Sequence, residues 1–594
     1  MSQKVDPVTT AILQDILLSI ARQMDAYIEW ASPNFITAVI HDVSTGIFTA
    51  KGEVVALESH ISNQSIGYFQ IKLILEEFDE IHPGDVFVMC DPYLGAGTHP
   101  PDWSFFRPIF YKENLEFFTM IRTHQVDNGS WQPRAYNPMV YDIHSEGLRL
   151  RPTRIYQKDE LVEAIYTLIL DNVRQKDLVH MDHLAMNGAL KFAEKRLLEL
   201  LEKYGRDAIF SSLQQMWEAT RVAVKSEIAA WPDGEYEGQS SCDDDGMTLD
   251  VPVTVRVKAK IQGDHLMLDF SQSDPQVKGI INAPISLTHV KASYAVYCCF
   301  PPELSRHYNQ GSYDAFELVT RPGTVTDARY PAPVGACPLI VAAQILEAVW
   351  MALGQAIPEK VPAANTRPLC AGVFGVDPRK GRLVSYAHFW AEGGNGALHG
   401  CDGWPNSGPT SALGTLKKPS IELSEVLLPF RAIRYQIHQD ACGHGRWRGG
   451  PGTIWEVENL GEEARVLTGN CDGVTTICPM AGRVGGQPGK LNQMALIRGS
   501  EEIPIRAARN LTLQPGDRFR MMSGGGGGVG NPLERDTEKV REDVEEGVLS
   551  FQTARQVYGV VLNATTYEVD PGATDRMRFE LLATAPSRAA SEER

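Results

Sequence analysis

No two cysteines of this chain stand at CxxC spacing; its ten cysteines are scattered over 594 residues. That excludes the common structural zinc motifs and argues for reduced thiols rather than a disulfide framework. Long apolar runs are missing too. The stretch 290–300 is short and is interrupted by Lys291, which is insufficient to cross a bilayer. The opening MSQKVDPVTT lacks the apolar core of a secretory signal. A cytoplasmic protein without membrane contact is therefore expected. Positive charge is scarce: 56 Lys and Arg against 74 Asp and Glu leave a net charge of −18. Such a surface disfavours nucleic acid and anionic lipid as partners. There is no GxSxG elbow, and no GK[ST] ends the glycine run at 524–528. Neither a serine hydrolase of the elbow type nor a Walker phosphate loop is encoded.

What remains is an ordinary globular composition, 43% hydrophobic and 22% charged, in a chain long enough for roughly three to five domains. Asp6-Pro7 reads as a helix N-cap with proline at the first helical position. Ile12, Ile16, Ile20 and Met24 follow at helical spacing. FITAVIHDVSTGIFTAKGEVVAL then reads as strand, turn, strand, with turns at Ser44-Thr45-Gly46 and Lys51-Gly52. DVFVMC is a short apolar strand, and SFFRPIFY and LEFFTMIRTH form a hairpin through Lys112-Glu113-Asn114. ELVEAIYTLILDNV and ALKFAEKRLLELLEKYG have helical periodicity; VPVTVRVKAKI, HLMLDFS, EVLLPFRAIRYQIH and GTIWEVENL read as strands. The expected organisation is a helix plus a β-rich region at 1–157, a helical region at 158–232 and a mixed α/β region at 233–375. A Gly-rich, β-rich C-terminal region at 376–575 and a polar tail at 576–594, expected to be disordered, complete it. The fold class is mixed α/β (α+β) and multi-domain, helical in the middle and β-rich toward the C-terminus.

The chemistry concentrates near residue 100. His99 and Asp102 lie on the loop DPYLGAGTHPPDWS, stiffened by Pro100-Pro101, and His124 ends the next hairpin in IRTHQVDNGS. Two antiparallel strands between them return the chain to the same end of the sheet. Two imidazoles and a carboxylate there suit a divalent ion such as Zn, Mn or Fe, with positions open for water or substrate. Asp42, ending a strand in VIHDVSTG, can add a fourth ligand. Its neighbour His41 competes for that role, and strand alternation would send the two to opposite faces. Asp127, three residues after His124, is either an orienting partner of that imidazole or a turn cap. By itself HxxD with a distant histidine is a common pattern, and a surface histidine or a capping aspartate is the plain alternative for each member.

Longer blocks narrow the reading. DPYLGAGTHPPD, RTHQVDNGS, DGEYEGQSSCDDDG at 233–246 and LDFSQSDPQVKGIINAP at 268–284 resemble the family of hydantoinase B, 5-oxoprolinase, and the acetone and acetophenone carboxylase subunits. So do ELSEVLLPFRAIRYQIHQDACGHGRWRGGPG at 422–452, LQPGDRFRMMSGGGGGVGNPLERD at 513–536 and ARQVYGVVLN at 554–563. The blocks run in family order over about 8–565. The resemblance implies a hydantoinase B-like fold and a divalent metal, Zn, Mn or Fe, at the positions of His99, Asp102 and His124, with Asp42 as fourth ligand. It implies catalysis at a substrate carbonyl through that metal. ATP would be used on a hydantoinase A-like partner within a hetero-oligomer. Two branches follow: carboxylation of a ketone with bicarbonate, or hydrolysis of a cyclic amide such as a hydantoin, lactam or 5-oxoproline. This sequence has Gln125 where the commoner hydantoinase pattern has a second histidine, and Gly129-Ser130 where that pattern has Gly-Gly. With the aromatic flank of Trp103, Phe105, Phe106 and Trp131, Gln125 leans toward the carboxylase branch. The flank is otherwise simple strand-face core. A non-catalytic scaffold subunit is the remaining alternative.

Other candidates have plainer readings beside them. Asp243-Asp244-Asp245 is a second cation site or a solvated turn. His444 faces the site or lies in a loop, and His388 is a core histidine. Cys298 and Cys299 are core packing. The glycine run serves close backbone packing or turns, or contacts an anion or a subunit.

Overall fold

The computed structural model describes residues 5–58, 66–132, 136–305, 308–408, 410–412, 416–468, 471–507 and 509–584. The Asp6 carboxylate accepts the Thr9 amide at 3.0 Å and starts the helix Pro7–Ala31. Leu13, Leu17, Ile20, Met24 and Ile28 are buried while Ile12 is 45% exposed, so the buried stripe is shifted from Ile12 and Ile16 onto Leu13 and Leu17.

The expected strand before His41 is a π-helix, Phe35–Ile40. The buried Asp182 carboxylate accepts the Asn34 side-chain amide at 2.7 Å and the Ser32 hydroxyl, while the Asn34 oxygen caps the Ile36 amide. A buried polar anchor outweighs the β propensity of Ile-Thr-Ala-Val-Ile. The first expected turn is also absent: β1 (Val43–Thr49) runs straight through Ser44-Thr45-Gly46. Gly46 is there because a Cβ would press on the Phe48 ring and Leu57. The turn comes at Lys51-Gly52, where Gly52 has φ +86°.

β1 joins β2 (Val54–Glu58), β3 (Val86–Met89), β4 (Asp102–Tyr111), β5 (Asn114–His124), β6 (Thr153–Gln157) and β7 (Glu160–Leu161) in an antiparallel sheet of order β2-β1-β5-β4-β3-β6-β7. Both faces are covered. Ile47, Trp103, Phe105, Phe117 and Ile121 pack with the helices Pro7–Ala31, Lys176–Tyr204 and Arg206–Ala229. Phe48, Phe106, Phe118 and Met120 share a core with the helices Ile285–Tyr297 and Val341–Ala356. Each such burial stabilises by roughly 1.5–3 kcal/mol, and two covered faces explain why the strands are apolar at nearly every position.

A second sheet, β8 (Gly234–Cys242), β9 (Val253–Gln262), β10 (His265–Asp269) and β11 (Phe316–Val319), packs on the helix Val341–Ala356. The C-terminal part supplies β12 (Ala371–Asp377), β13 (Arg382–His388), β14 (Phe430–His438), β15 (Gly452–Asn459), β16 (Ala464–Leu467), β17 (Gln493–Arg498), β18 (Glu501–Ile505), β19 (Leu511–Leu513) and β20 (Arg518–Met522). They form sheets of order β13-β12-β16-β19 and β14-β15-β20-β17-β18. The residues Glu-Val-Leu-Leu before Pro429, expected as strand, belong largely to a helix, Ile421–Leu427, which Ser420 caps.

After β20 the glycines 524–528 run extended through the middle of a bundle of other segments. The amides of 525–528 donate to the Ala441, Gly450, Ala364 and Gln487 carbonyls at 2.8–3.0 Å, each on a different segment of the chain. A Cβ on Gly525, Gly526 or Gly527 would lie deep inside the backbone of Cys442, Asn395 or Ala481. Close backbone packing is thus the use of this run.

The tail expected to be disordered from 576 is helical through Thr584, in Pro571–Thr584; residues 585–594 lie outside the described residues. No helix among the described residues is long and apolar enough to cross a membrane.

Candidate metal centre

The β4–β5 hairpin turns through Lys112 and Glu113, both at positive φ (48° and 71°), the twist-compatible geometry for a two-residue turn. The resulting register sets Asp102 opposite His124 and Ser104 opposite Arg122. The two-residue period then places Arg122 and His124 on the sheet face of Phe118 and Met120. On the other side of β5, Ser44 faces Arg122, and the His124 amide donates to the Asp42 carbonyl at 3.3 Å. His99 stands one turn before β4, its carbonyl accepting the Asp102 amide at 3.2 Å.

Local geometry therefore brings three buried side chains together. Asp102 Oδ1 is 3.0 Å from His99 Nε2 and 3.2 Å from His124 Nδ1. One ligand atom from each lies within 4.8 Å of the others. The second oxygen, Asp102 Oδ2, accepts from the Thr98 hydroxyl at 2.7 Å and from the Arg122 guanidinium. Burial opposes ionisation of Asp102. The charges of Arg122 and His99 and the hydrogen bonds from both histidines outweigh it and hold the carboxyl well below its usual range.

His99 Nδ1 is 2.8 Å from the Gly335 carbonyl. A carbonyl only accepts, so Nδ1 carries a proton, and Nε2 is the atom the ring turns toward the centre. Nε2 and Oδ1 stand 3.0 Å apart with a proton shared between them, and a cation bound by both atoms would displace that proton. The nitrogen and oxygen donors fit Zn, Mn or Fe. Asp42 Oδ2 is 3.9 Å from His124 Nδ1, and its side chain is 29% exposed. It stands beside His124 but outside the group of three whose ligand atoms converge within 4.8 Å. His41 is turned away. At φ 66° it points to Asp25 (2.9 Å) and Glu29 (3.6 Å). The two neighbours do diverge, through a left-handed residue after the π-helix rather than through strand alternation.

Two nearby groups have no linear signal. The Tyr136 ring lies parallel to His124, with centroids 6.0 Å apart. Lys291, on the helix Ile285–Tyr297, is 1% exposed and donates to the Ser411 carbonyl at 2.9 Å. Burial pushes its ammonium down to about 7, Arg122 adds to that, and Asp102, Cys337 and Asp42 oppose it. In the sequence Lys291 only interrupts an apolar run.

Asp127 does not orient His124. Its carboxylate takes the amides of Gly129 (3.0 Å), Arg174 and Gln175 (3.1 Å), which is the turn-capping role. The aromatic flank is core: Trp103 and Phe105 pack around His183, and Phe106 belongs to the opposite face. Trp131 is 57% exposed. The three acids at 243–245 are occupied by protein donors: Asp243 by Val474 and Thr475, Asp244 by Gly246 and Arg506, Asp245 by Met247, Thr248 and Gly279. His444 bonds Tyr558, and His388 accepts the Trp455 indole N–H in the core. Cys299 is buried but Cys298 is exposed.

Fold and site together define a multi-sheet α/β protein with a buried candidate centre of two histidines and one carboxylate. The chain belongs to the Hydantoinase B/oxoprolinase family, whose sequence model matches residues 6–532. It is 31% identical to caprolactamase subunit beta of Pseudomonas jessenii over 97% of this chain and 99% of that one. It is 25% identical to the acetophenone carboxylase delta subunit of Aromatoleum aromaticum over 91% of this chain and 84% of that one. The crystal structure of ATP-dependent caprolactamase from Pseudomonas jessenii superposes with a TM-score of 0.88 at 30% identity, covering 97% of this chain and 100% of that one.

Proposed function

We propose that this chain is the metal-bearing subunit of a hetero-oligomeric, ATP-dependent enzyme that opens a cyclic amide. The convergence of His99, Asp102 and His124 around one point carries the reading. Similarity to a caprolactamase subunit along both whole chains supports the choice of substrate class. The ATP step is assigned to a hydantoinase A-like partner, as the family resemblance implies.

His99, Asp102 and His124, with Asp42, would hold Zn, Mn or Fe. When bound, such an ion supplies Lewis acidity toward a carbonyl oxygen and acidifies water. The chain's own contribution is preorganisation. Thr98 and Arg122 hold Asp102 Oδ2, leaving Oδ1 for the centre, and Gly335 fixes the His99 tautomer. Arg122 and Lys291 add buried positive charge on the same side of the sheet, which favours an oxyanion developing on attack at an amide carbonyl. The intact donor set argues against a purely scaffolding role.

Carboxylation of a ketone is the second reading. It keeps Gln125 and the acetophenone carboxylase relative in its favour, but loses Trp103, Phe105 and Phe106, which pack in the core. Reconstituted with an ATP-binding partner, the chain is expected to open a lactam, hydantoin or 5-oxoproline at the expense of ATP, and to lose that turnover with His124→Ala. ATP-dependent entry of labelled bicarbonate into a keto acid from a ketone, without ring opening, would install the second reading instead. Mass spectrometry of the purified chain should find about one divalent ion, lost in His99→Ala and Asp102→Ala.

A further inference from the structure

The Gly335 carbonyl that fixes His99 lies on a segment far from His99 in sequence, and that segment is itself held. Glu146, at the end of the short 3-10 turn Ile143–Glu146, is fully buried. Its two carboxylate oxygens accept the Val334 amide at 3.1 and 3.0 Å, and Oε1 also accepts the Gly335 amide at 2.7 Å. The Glu146 carbonyl in turn accepts the Asn128 side-chain amide at 2.8 Å, and Asn128 lies four residues beyond His124. A hydrogen-bonded path thus runs from the segment after His124, through Asn128 and Glu146, to Gly335 and the His99 imidazole.

We propose that Glu146 is a positioning residue for the metal centre: by clamping the Val334–Gly335 amides it aims the Gly335 carbonyl at His99 Nδ1, and so sets the ring orientation and tautomer of that ligand. The inference rests on the metal-centre reading above. Three N–H contacts use both oxygens, which a carboxylate provides and a glutamine amide does not. Burial raises the Glu146 carboxyl to about 8, while the Val334 and Gly335 amides pull the other way. An anchor for the 330s loop alone would not need to meet a ligand's partner; here the clamped residue is the one whose carbonyl meets His99.

The test uses Co2+, whose visible absorption reports the donor set, on the full chain as wild type, Glu146→Gln and His99→Ala. Expected is a loss of Co2+ affinity in Glu146→Gln of about tenfold to a hundredfold, the range for a residue that supports a ligand from outside the coordination sphere. Its remaining absorption band should shift from the wild-type position, while the metal-free chain keeps a cooperative thermal transition. Glu146→Asp keeps the carboxyl group with shorter reach and should change the band in the same direction, which covers the case of a Gln variant that does not fold. Wild-type affinity and band in both Glu146 variants, with His99→Ala impaired, would overturn the positioning role and leave the centre standing. Loss of affinity with an unchanged band and a collapsed thermal transition would also overturn it, as a general anchor. If neither wild type nor variants bind Co2+, the centre itself fails and the inference with it.

Discussion

The sheet around β4 and β5 and the glycine bundle after β20 are both buried, yet they are made by opposite means. In the sheet, each position is defined by the side chain it presents: Trp103 and Phe105 to one core, Phe106 and Met120 to the other, Asp102 and His124 to the centre. In the bundle each position is defined by what it leaves out, because neighbouring backbones occupy the space of every Cβ. The sheet is held by apolar area, and the bundle by amides of 525–528 bonded to carbonyls of several segments. A residue that carries no chemistry can thus be as position-specific as a ligand.

The sharpest way to break this contrast is one methyl group. Gly526→Ala places a Cβ inside the Asn395 carbonyl, where backbone rather than a flexible side chain must move. We expect destabilisation above about 4 kcal/mol, or no soluble protein. Urea unfolding at the wild-type midpoint would show the bundle to be loose after all.

Next in size is the centre's own share of stability. Asp102→Asn removes the charge partner of the buried Arg122, and breaking a buried pair costs about 3–5 kcal/mol. The metal-free variant should therefore unfold at lower denaturant besides losing its ion. The pH dependence has a definite sign. The folded carboxyl lies below the ordinary value of 3.8, so its stabilisation is present above that pH and is lost as pH falls through the lower folded value. Acid titrations of the two metal-free proteins should converge below about pH 4; a constant difference down to pH 2 would refute the assignment.

Lys291 gives an effect of the same slope in a higher pH window. Its folded value of about 7 lies below the ordinary 10.5, so the unfolded chain binds more protons between these two values. The metal-free wild type should gain stability as pH rises through that window, and Lys291→Met should not show the gain. Parallel pH profiles would mean that the ammonium is better solvated than its burial implies.

The smallest expected change is His183→Phe. The ring lies among Trp103, Phe105 and Tyr166, neither nitrogen has a hydrogen-bond partner among the described residues, and burial pushes its pKa down to about 3. A neutral ring in an apolar cage should accept phenylalanine within about 1 kcal/mol. A loss well beyond that in thermal unfolding would reveal a polar role.

How much of this was legible beforehand follows from distance along the chain. His99, Asp102 and His124 could be brought together on paper because a tight hairpin with no insertion returns its end to its start. The two strands of that hairpin and the N-cap at Asp6 were legible for the same local reason. The π-helix at Phe35–Ile40 was not, since Asp182 that anchors it lies on another helix. Nor were Tyr136, Lys291, Glu146 and Gly335, which reach the centre only through tertiary packing. Gly46 looked like a turn because glycine has two uses, conformational freedom and absence of bulk, and only the Phe48 ring beside it distinguishes them.

The bundle also has a thermal consequence. Exposing apolar surface raises the heat capacity of unfolding by about 0.45 cal/mol/K per Å², whereas exposing polar surface lowers it by about 0.26. Extended glycines expose chiefly peptide groups when they separate, so this part of the chain subtracts from the heat-capacity change that the aromatic sheet contributes. Its stability therefore varies less with temperature, and it holds in the cold, where the apolar driving force weakens.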